Sequence, residues 1–597
     1  MADAVAAFPA GLLAAMGLVI LVVGRVGKSD VLSGVLCCVA LALAGGALGF
    51  GEVRSRSGSP ATSPAIQAGG GHEASPPLGT AATLRSLTED PLSRIAMWLA
   101  LGLGLLAAAT AVDGSTPRAW HRFAILLLSL GGVLLAAIAN DLAVVVIAIE
   151  LASLPVTALL FIEGDTPEAR AAARRSLALN LFALAMLVAG AVLFAVVSGT
   201  TNLGELRVPL PHVGAARHLR VLQTASPVAG EIGCVFLLAG LGVHFLAAPF
   251  QLAAAEIFDG AKTWAIGLTA LVPRGAALLL MVRVLVYGPP RLEGTVQTLF
   301  TAVGFLTILI GGLLVVSQTR IRRLLAFIVV FQSGLILAAL AAGCSESARP
   351  AATPWLDGAT PGGVGSACLC FALDSLALIG LLALFGSRER SGRPLDDVAQ
   401  VADAIRGDGL TAAAVCVLVA ALAGVPPFAG FWPRIDILRS LLSISFPAEN
   451  GFLPHQNIGY VVVAMAAAAG LILVAAVTLG FVKQVLLDDL DVPRVVVLRD
   501  GGSARANVPE KAAVAVGLLA ALAVIVFGLI PRPVAHIAAR AALQDRTIVQ
   551  ASADRAGSLP ETNGAPAGGG AKAILGKSSQ PASSATSMRQ LGQESKH

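Results

Sequence analysis

Long apolar runs follow one another along nearly the whole chain, separated by short polar or Gly/Ser/Pro-rich stretches. A helix needs about 20 apolar residues to cross a bilayer, and about fourteen segments meet that length. They lie near residues 4–25, 31–50, 93–112, 120–139, 142–162, 174–197, 230–250, 264–287, 297–316, 322–342, 364–386, 410–441, 457–485 and 511–530. The pattern lapses twice, over residues 52–88 (SRSGSPATSPAIQAGGGHEASPPLG) and after residue 545 (GAPAGGGAKAILGKSSQPASSATS). Both stretches have the low-complexity composition of flexible or disordered chain. The predicted fold is an all-α polytopic membrane protein.

Composition supports that reading and removes the alternatives. Of the 597 residues, 56% are hydrophobic and 13% charged, with a mean hydropathy of +0.82. Soluble domains carry roughly 25% charged residues, so polar surfaces for about four soluble domains could not be built. The same figures exclude overall disorder, a disulfide scaffold and a nucleic-acid binder. The seven cysteines lie mostly inside apolar runs without metal-site spacing, and read as small buried hydrophobes. No P-loop, dinucleotide fingerprint or haem signature is present. The N-terminus lacks a basic leader region and a clear cleavage site, so the first apolar run is expected to stay as a span.

The net charge of +5 matters through its placement. Connections after odd-numbered spans hold RVGK, Arg118, Arg122, Arg170, Arg174, Arg175, Arg320, Arg322, Arg323, the Arg388–Arg406 stretch and Arg494–Lys511. That is about 19 basic residues against about 9 in the opposite connections, which predicts a cytoplasmic side for the first set and both termini outside.

Polar residues inside spans are expensive, so each is a functional candidate. Glu150 lies about nine residues into the fifth span, where a carboxylate calls for a cationic partner or serves as a polar pin between helices. Asn140 and Asp141, just before it, suit a tight turn. The seventh and twelfth spans, GLGVHFLAAPFQLAAAE and ALAGVPPFAGFWPRIDIL, are interrupted by Pro249 and by Pro426, Pro427 and Pro433. An ionisable residue, His244 or Arg434, stands beside each interruption. Broken spans at matching places in two halves point to inverted repeats, here helices 4–8 and 9–13. Arg274 and Arg283 in the eighth span either snorkel, pair with an acid such as Glu256 or Asp259, or join a relay. Asp374 in the eleventh span and Gln332 in the tenth extend a polar line across the bundle. The implied division is 1–112 (helices 1–3), 113–290 and 291–486 (the two repeats), 487–544 (helix 14) and the tail 545–597.

Several of these runs resemble subunit N of bacterial NADH-quinone oxidoreductase (respiratory complex I), a member of the antiporter-like subunits. LSLGGVLLAAIANDLAVVVIAIELASLPVTALL is similar to that subunit's fourth and fifth helices, with ANDL…ELxSLP its most specific wording. PEARAAARRSLALNL…SGTTNL, AAPFQLAAAEIFDGAKTWAIGLTALVPRGAALLLMVRVL, SQTRIRRLLAFIVVFQSGLIL and LAGVPPFAGFWPR match further segments in order. The resemblance spans roughly residues 1–540.

The resemblance implies an inner-membrane subunit that translocates protons while other subunits pass electrons from NADH to quinone. It implies no cofactor in this subunit, with NADH, FMN, iron–sulfur clusters and quinone held elsewhere. Its partners are other membrane-arm subunits and the lipid bilayer, with no nucleic acid. The family's fifth-helix glutamate falls at Glu150. Its lysines fall at Arg175 (or Arg174), His244, Arg274 and Arg434, and its tenth-helix histidine at Gln332. Each relay lysine is therefore replaced, and Lys262 is an addition. Arginine stays protonated, so Arg175, Arg274 and Arg434 are expected to act as charge partners, whereas His244 can take and release protons. Two other readings follow from the same features: a subunit of a multisubunit cation/proton antiporter, and a structural membrane-arm subunit that no longer pumps.

Overall fold

The computed structural model describes residues 2–27, 30–57, 86–111, 119–203, 227–287, 293–344, 362–390, 397–406, 408–445, 458–487 and 508–539. The tail 545–597 and residues 58–85 of the predicted flexible loop lie outside the described residues. The first six helices are α1 (Ala2–Gly27), α2 (Asp30–Ser57), α3 (Pro91–Ala111), α4 (Trp120–Ile138), α5 (Leu142–Ile162) and α6 (Pro167–Ser198). Then come α7 (Pro227–His244), α8 (Gln251–Gly260), α9 (Thr263–Tyr287), α10 (Glu293–Val316), α11 (Ile321–Gly343) and α12 (Gly362–Arg390). The last are α13 (Val398–Arg406), α14 (Gly409–Ala423), α15 (Phe431–Ser445), α16 (Ile458–Leu487), α17 (Val508–Leu529) and a short α18 over 532–539. Among the described residues there is no strand, only three isolated bridges. A bilayer offers the backbone no hydrogen bonds, so helices that satisfy their own are what such a sequence can build.

Among the described residues, twelve helices are long and apolar enough to cross a membrane, against about fourteen expected spans. The difference lies in the two interrupted segments. The first is divided where α7 stops at His244 and α8 restarts at Gln251; the second where α14 stops at Ala423 and α15 restarts at Phe431. Pro249, Pro426 and Pro427 lie in these breaks. Pro433 does not: it sits in the first turn of α15, where a missing N–H has no helical partner to lose. The helix α13 was not foreseen in the basic connection that carries it.

Burial separates an inner group of helices from an outer one. The spanning part of α11 is wholly buried and α4, α9 and α12 are mostly so, while α1, α6, α10, α16 and α17 bury about a third of theirs. Helices approach closely where glycine removes the side chain, since lipid supplies no hydrophobic drive and contact must come from packing. A Cβ on Gly132 of α4 would stand 2.3 Å from the Ala152 nitrogen of α5, beside Glu150. On α10 and α11, Gly311 and Gly334 have the same role against Phe331 and Ile308.

The two ends of the bundle differ in chemistry. At one end the arginine-rich connections are cross-linked: Asp30 to the start of α4, Lys262 to Asp165 at 2.9 Å, Arg320 and Arg323 to Asp259. Arg322 pairs with Glu389 and Arg388 with Asp408, both at 2.6 Å. Those of the predicted basic connections that fall among the described residues gather at one face; Arg494 and the rest of 488–507 lie outside the described residues. At the opposite end the α4–α5 turn is stitched to two other segments. Asn140 and Asp141 pair with Thr201 and Asn202, and Asp141 caps α5 through the Ala143 N–H at 2.8 Å. Residues 86–88, expected to be flexible, run against Ile138–Asn140, with the Thr88 N–H donating to the Ile138 carbonyl at 2.9 Å. Asp90 caps α3 and holds Arg283 of α9 at 2.6 Å, so Arg283 is an anchor of this end.

A buried cluster at the basic end has a measurable signature. Glu163, at the end of α5, accepts from Arg122 and lies 3.3 Å from His121 Nε2, all three residues being buried. Burial raises the Glu163 carboxyl, but His121 and Arg122 outweigh it and leave the group below its ordinary value. A folded-state value below the unfolded one, about 4.3, means the stabilisation is complete above that pH and is lost as pH falls through the lowered value. Thermal unfolding of the purified protein in detergent should therefore show an acid-side loss that Glu163→Gln removes. At neutral pH the same substitution should cost about 3–5 kcal/mol, because Arg122 is left buried without its carboxylate.

Candidate functional site: a buried polar line

The second helix break is built around one guanidinium. The α14 segment ends at Gly424, whose φ of 77° places it in the left-handed region that glycine tolerates, and its last carbonyls have no helical partner. Arg434 fills the break. Its Nη2 donates to the Leu422 carbonyl at 2.8 Å and to Asp374 Oδ1 of α12 at 2.8 Å. Its Nη1 donates to the Gly430 and Ala421 carbonyls. The side chain is 2% exposed. Glycine is needed at 430, where a Cβ would lie 2.1 Å from the Ala421 oxygen. From outside, α17 braces the break: Val524 accepts from the Ala429 N–H at 3.1 Å and Gly528 from the Trp432 indole at 2.8 Å.

From that break a chain of polar contacts runs back toward the first. Leu422 also accepts from Gln332 Nε2 of α11 at 3.3 Å, so Gln332 and Arg434 share one carbonyl. One turn back on α11, the Val329 carbonyl accepts from Arg274 Nη2 of α9 at 3.4 Å. The Arg274 guanidinium lies 5.4 Å from the Phe245 ring and 5.5 Å from the Phe371 ring. Aromatic faces attract a cation, and in a dry interior such contacts reach about 2 kcal/mol. Phe245 belongs to the first break, next to His244, where Thr307 of α10 accepts the Ala248 N–H at 3.0 Å. His244 is buried, and its Nε2 has no protein hydrogen-bond partner.

Glu150 lies on α5, which packs against α9, the helix of Arg274. It is buried and neither carboxylate oxygen has a protein partner. The expected pairing with Arg175 is not made. Thr157 Oγ1 lies 3.2 Å from Ser176 Oγ and accepts from Asn180 at 2.7 Å, which fixes the register of α5 on α6. Arg175 therefore sits level with Thr157, about 10 Å along the axis from Glu150 at 1.5 Å per residue. Its side chain is 54% exposed and pairs with Glu256 of α8. Arg174 is exposed as well. Glu256 and Asp259, proposed partners of Arg274, are thus both taken by other arginines.

Residues 139–449 match the model of a family described as NADH:quinone oxidoreductase/Mrp antiporter, TM, a stretch that contains both breaks and every member of the polar line. The chain belongs to this family. Among its relatives is NADH-quinone oxidoreductase subunit N of Desulfovibrio desulfuricans, 26% identical over 351 residues. That alignment covers 58% of this chain and 66% of the relative, just under two thirds of its length. A chain of respiratory complex I from Thermus thermophilus shares the fold with a TM-score of 0.59 at 20% identity, over 88% of this chain and 97% of that one. A chain of the Mrp complex from Dietzia sp. does so with a TM-score of 0.66 at 19% identity, over 92% and 99%.

The line holds His244, Arg274, Gln332, Asp374 and Arg434; Glu150 is buried on the neighbouring α5, and Arg175 is exposed and paired elsewhere. The Asp374–Arg434 ion pair was not legible as a pair, since sixty residues separate its members. The signal that pointed to it was the presence of an acid and a base in two otherwise apolar spans.

Proposed function

We propose that this chain is the subunit-N-like member of the membrane arm of an NADH-quinone oxidoreductase, and that it moves protons across the membrane as electrons pass to quinone elsewhere in the complex. The observation that carries the reading is the buried polar line joining two broken helices. An isolated charge in lipid is costly, and ionisable groups kept in a row across a bundle mark paths for ions or protons. The assignment to a quinone-linked complex rests on the named relative and on the ANDL…ELxSLP wording. In this reading NADH, FMN, iron–sulfur clusters and quinone belong to other subunits, and the basic face of the bundle is cytoplasmic with both termini outside.

The chain's own residues divide the work. Glu150, His244 and Asp374 can gain and lose a proton; Arg274 and Arg434 hold fixed positive charge beside them. Glu150, Ser153, His244 and the Nε atoms of Arg274 and Arg434 have no protein hydrogen-bond partner, and buried polar atoms of this kind are where ordered water binds in proteins. On α5, Glu150, Ser153 and Thr157 lie at i, i+3 and i+7, a single helix face that leads from the line toward the basic end. A proton entering there reaches Glu150, and its onward movement is governed by charge shifts at His244 and Arg274.

Deleting the gene tests the assignment. Membranes of the deletion strain should lose most NADH-driven quinone reduction and the accompanying acidification of the outer side, with both restored by the intact gene. Full retention of both, with loss of sodium- or potassium-for-proton exchange instead, would move the chain to the antiporter branch.

A further inference from the structure

Resting on that function, we infer that Asp374 is a second proton-binding carboxyl, which releases its proton along Cys370, Ser366 and Asp436 to a cavity at the end of the bundle opposite the basic face. The three residues of α12, at 366, 370 and 374, stand at i, i+4 and i+8, one stripe of the helix. Each end of the stripe is bonded to a carboxylate, and the Cys370–Ser366 step between them spans one helical turn. Cys370 Sγ lies 3.3 Å from Asp374 Oδ2, and Ser366 donates to Asp436 Oδ2 of α15. Asp436 lines a cavity of about 300 Å³ together with Arg439 and Arg532, whose apolar walls include Leu369 and Leu373 of the same helix. The start of α12 lies at the end away from the basic connections, because its last turn carries the Glu389–Arg322 pair of the basic face.

The surroundings of Arg434 explain why Asp374 can lose its charge. Neutralising one member of a buried ion pair normally strands the other. Arg434 is not stranded, since three backbone carbonyls of the break, Ala421, Leu422 and Gly430, accept from it independently of Asp374. The guanidinium thus stays charged while the carboxyl cycles. One proton arrives at the Asp374 carboxylate and makes the neutral acid; one proton leaves toward Asp436; the carboxylate and its pairing with Arg434 return. Arg274, lying by Phe371 beside Cys370, is the neighbouring fixed charge on the side facing Glu150. The molecule then has two carboxyls, each with a polar stripe on its own helix, leading to opposite ends.

The test uses the whole complex in sealed vesicles, with protons counted per electron pair, alongside Glu150→Gln as the control for the function itself. Asp374→Asn keeps an acceptor for Arg434 but binds no proton, and should lower the proton count as Glu150→Gln does, with Asp374→Glu restoring it. Asp436→Asn and Cys370→Ala should slow coupled turnover by at least about tenfold, and Cys370→Ser should restore it. Redox-induced infrared difference spectra should contain a protonated-carboxyl band that Asp374→Asn removes, a readout a merely structural ion pair lacks. If Asp374→Asn prevents assembly, Asp436→Asn decides. An unchanged proton count and spectrum in these variants, with a fall in Glu150→Gln, would overturn the inference and leave the function standing. No fall in Glu150→Gln would remove both.

Discussion

Arg434→Leu is expected to cost about 3–5 kcal/mol and to deplete the assembled complex, because it removes one member of a buried ion pair and leaves Asp374 without its partner. The loss is compounded at the helix break. Three carbonyls that now accept from Arg434 would lose that donor; Leu422 keeps Gln332 and Ala421 keeps the Gly424 N–H, so the added cost stays below the about 1–3 kcal/mol of a wholly unsatisfied buried acceptor at each. Arg434→Lys should fall between the two. Lysine keeps the charge but offers three donors from one point, whereas the guanidinium fork reaches Asp374 and three carbonyls in different directions. The amount of complex on native gels and the unfolding temperature of the purified complex measure both variants. Arginine suits this position because the side chain must cap a broken helix as well as supply charge.

Glu150→Gln is expected to behave in the opposite way, leaving assembly intact and disabling translocation. Glutamine has nearly the same shape, and Glu150 accepts from no protein donor, so no pairing is broken. Removing a buried carboxylate also removes the cost of holding its charge away from water. What disappears is the capacity to bind and release a proton between the α5 stripe and Arg274. Quinone reduction should slow to the extent that it is tightly coupled, and outward proton movement through this subunit should stop. Unfolding temperature should stay the same or rise slightly, which separates a functional defect from a folding one.

Much of the architecture is legible in the sequence because hydrophobic length is the dominant constraint in a bilayer. Spans, breaks and the clustering of basic connections follow from it. Less legible was everything that depends on register between helices distant in the chain. Arg175 looked like the partner of Glu150, yet Thr157, Ser176 and Asn180 fix α6 on α5 so that Arg175 reaches Glu256. Arg283 was expected to snorkel or to pair with an acid such as Glu256 or Asp259, and it does pair with an acid, but with Asp90 just before α3, far away in the chain. Asp374 and Arg434 could each be marked as intramembrane ionisable groups, while their pairing needed the fold. Pro433 shows a local version of the same limit, since a proline breaks or begins a helix according to its place in the first turn.

The arginines in the line shape the mechanism more than they weaken it. A guanidinium that never releases its proton gives a fixed field, so proton movement falls to the groups beside it: Glu150 before Arg274, Asp374 beside Arg434, and His244 next to the ring that packs under Arg274. The most direct measurement is the number of protons moved per electron pair by sealed vesicles holding the complex with Glu150→Gln, compared with the native complex at equal quinone reduction. A lower count in the variant is the result predicted here; an identical count would contradict it and leave the chain a structural member of its family.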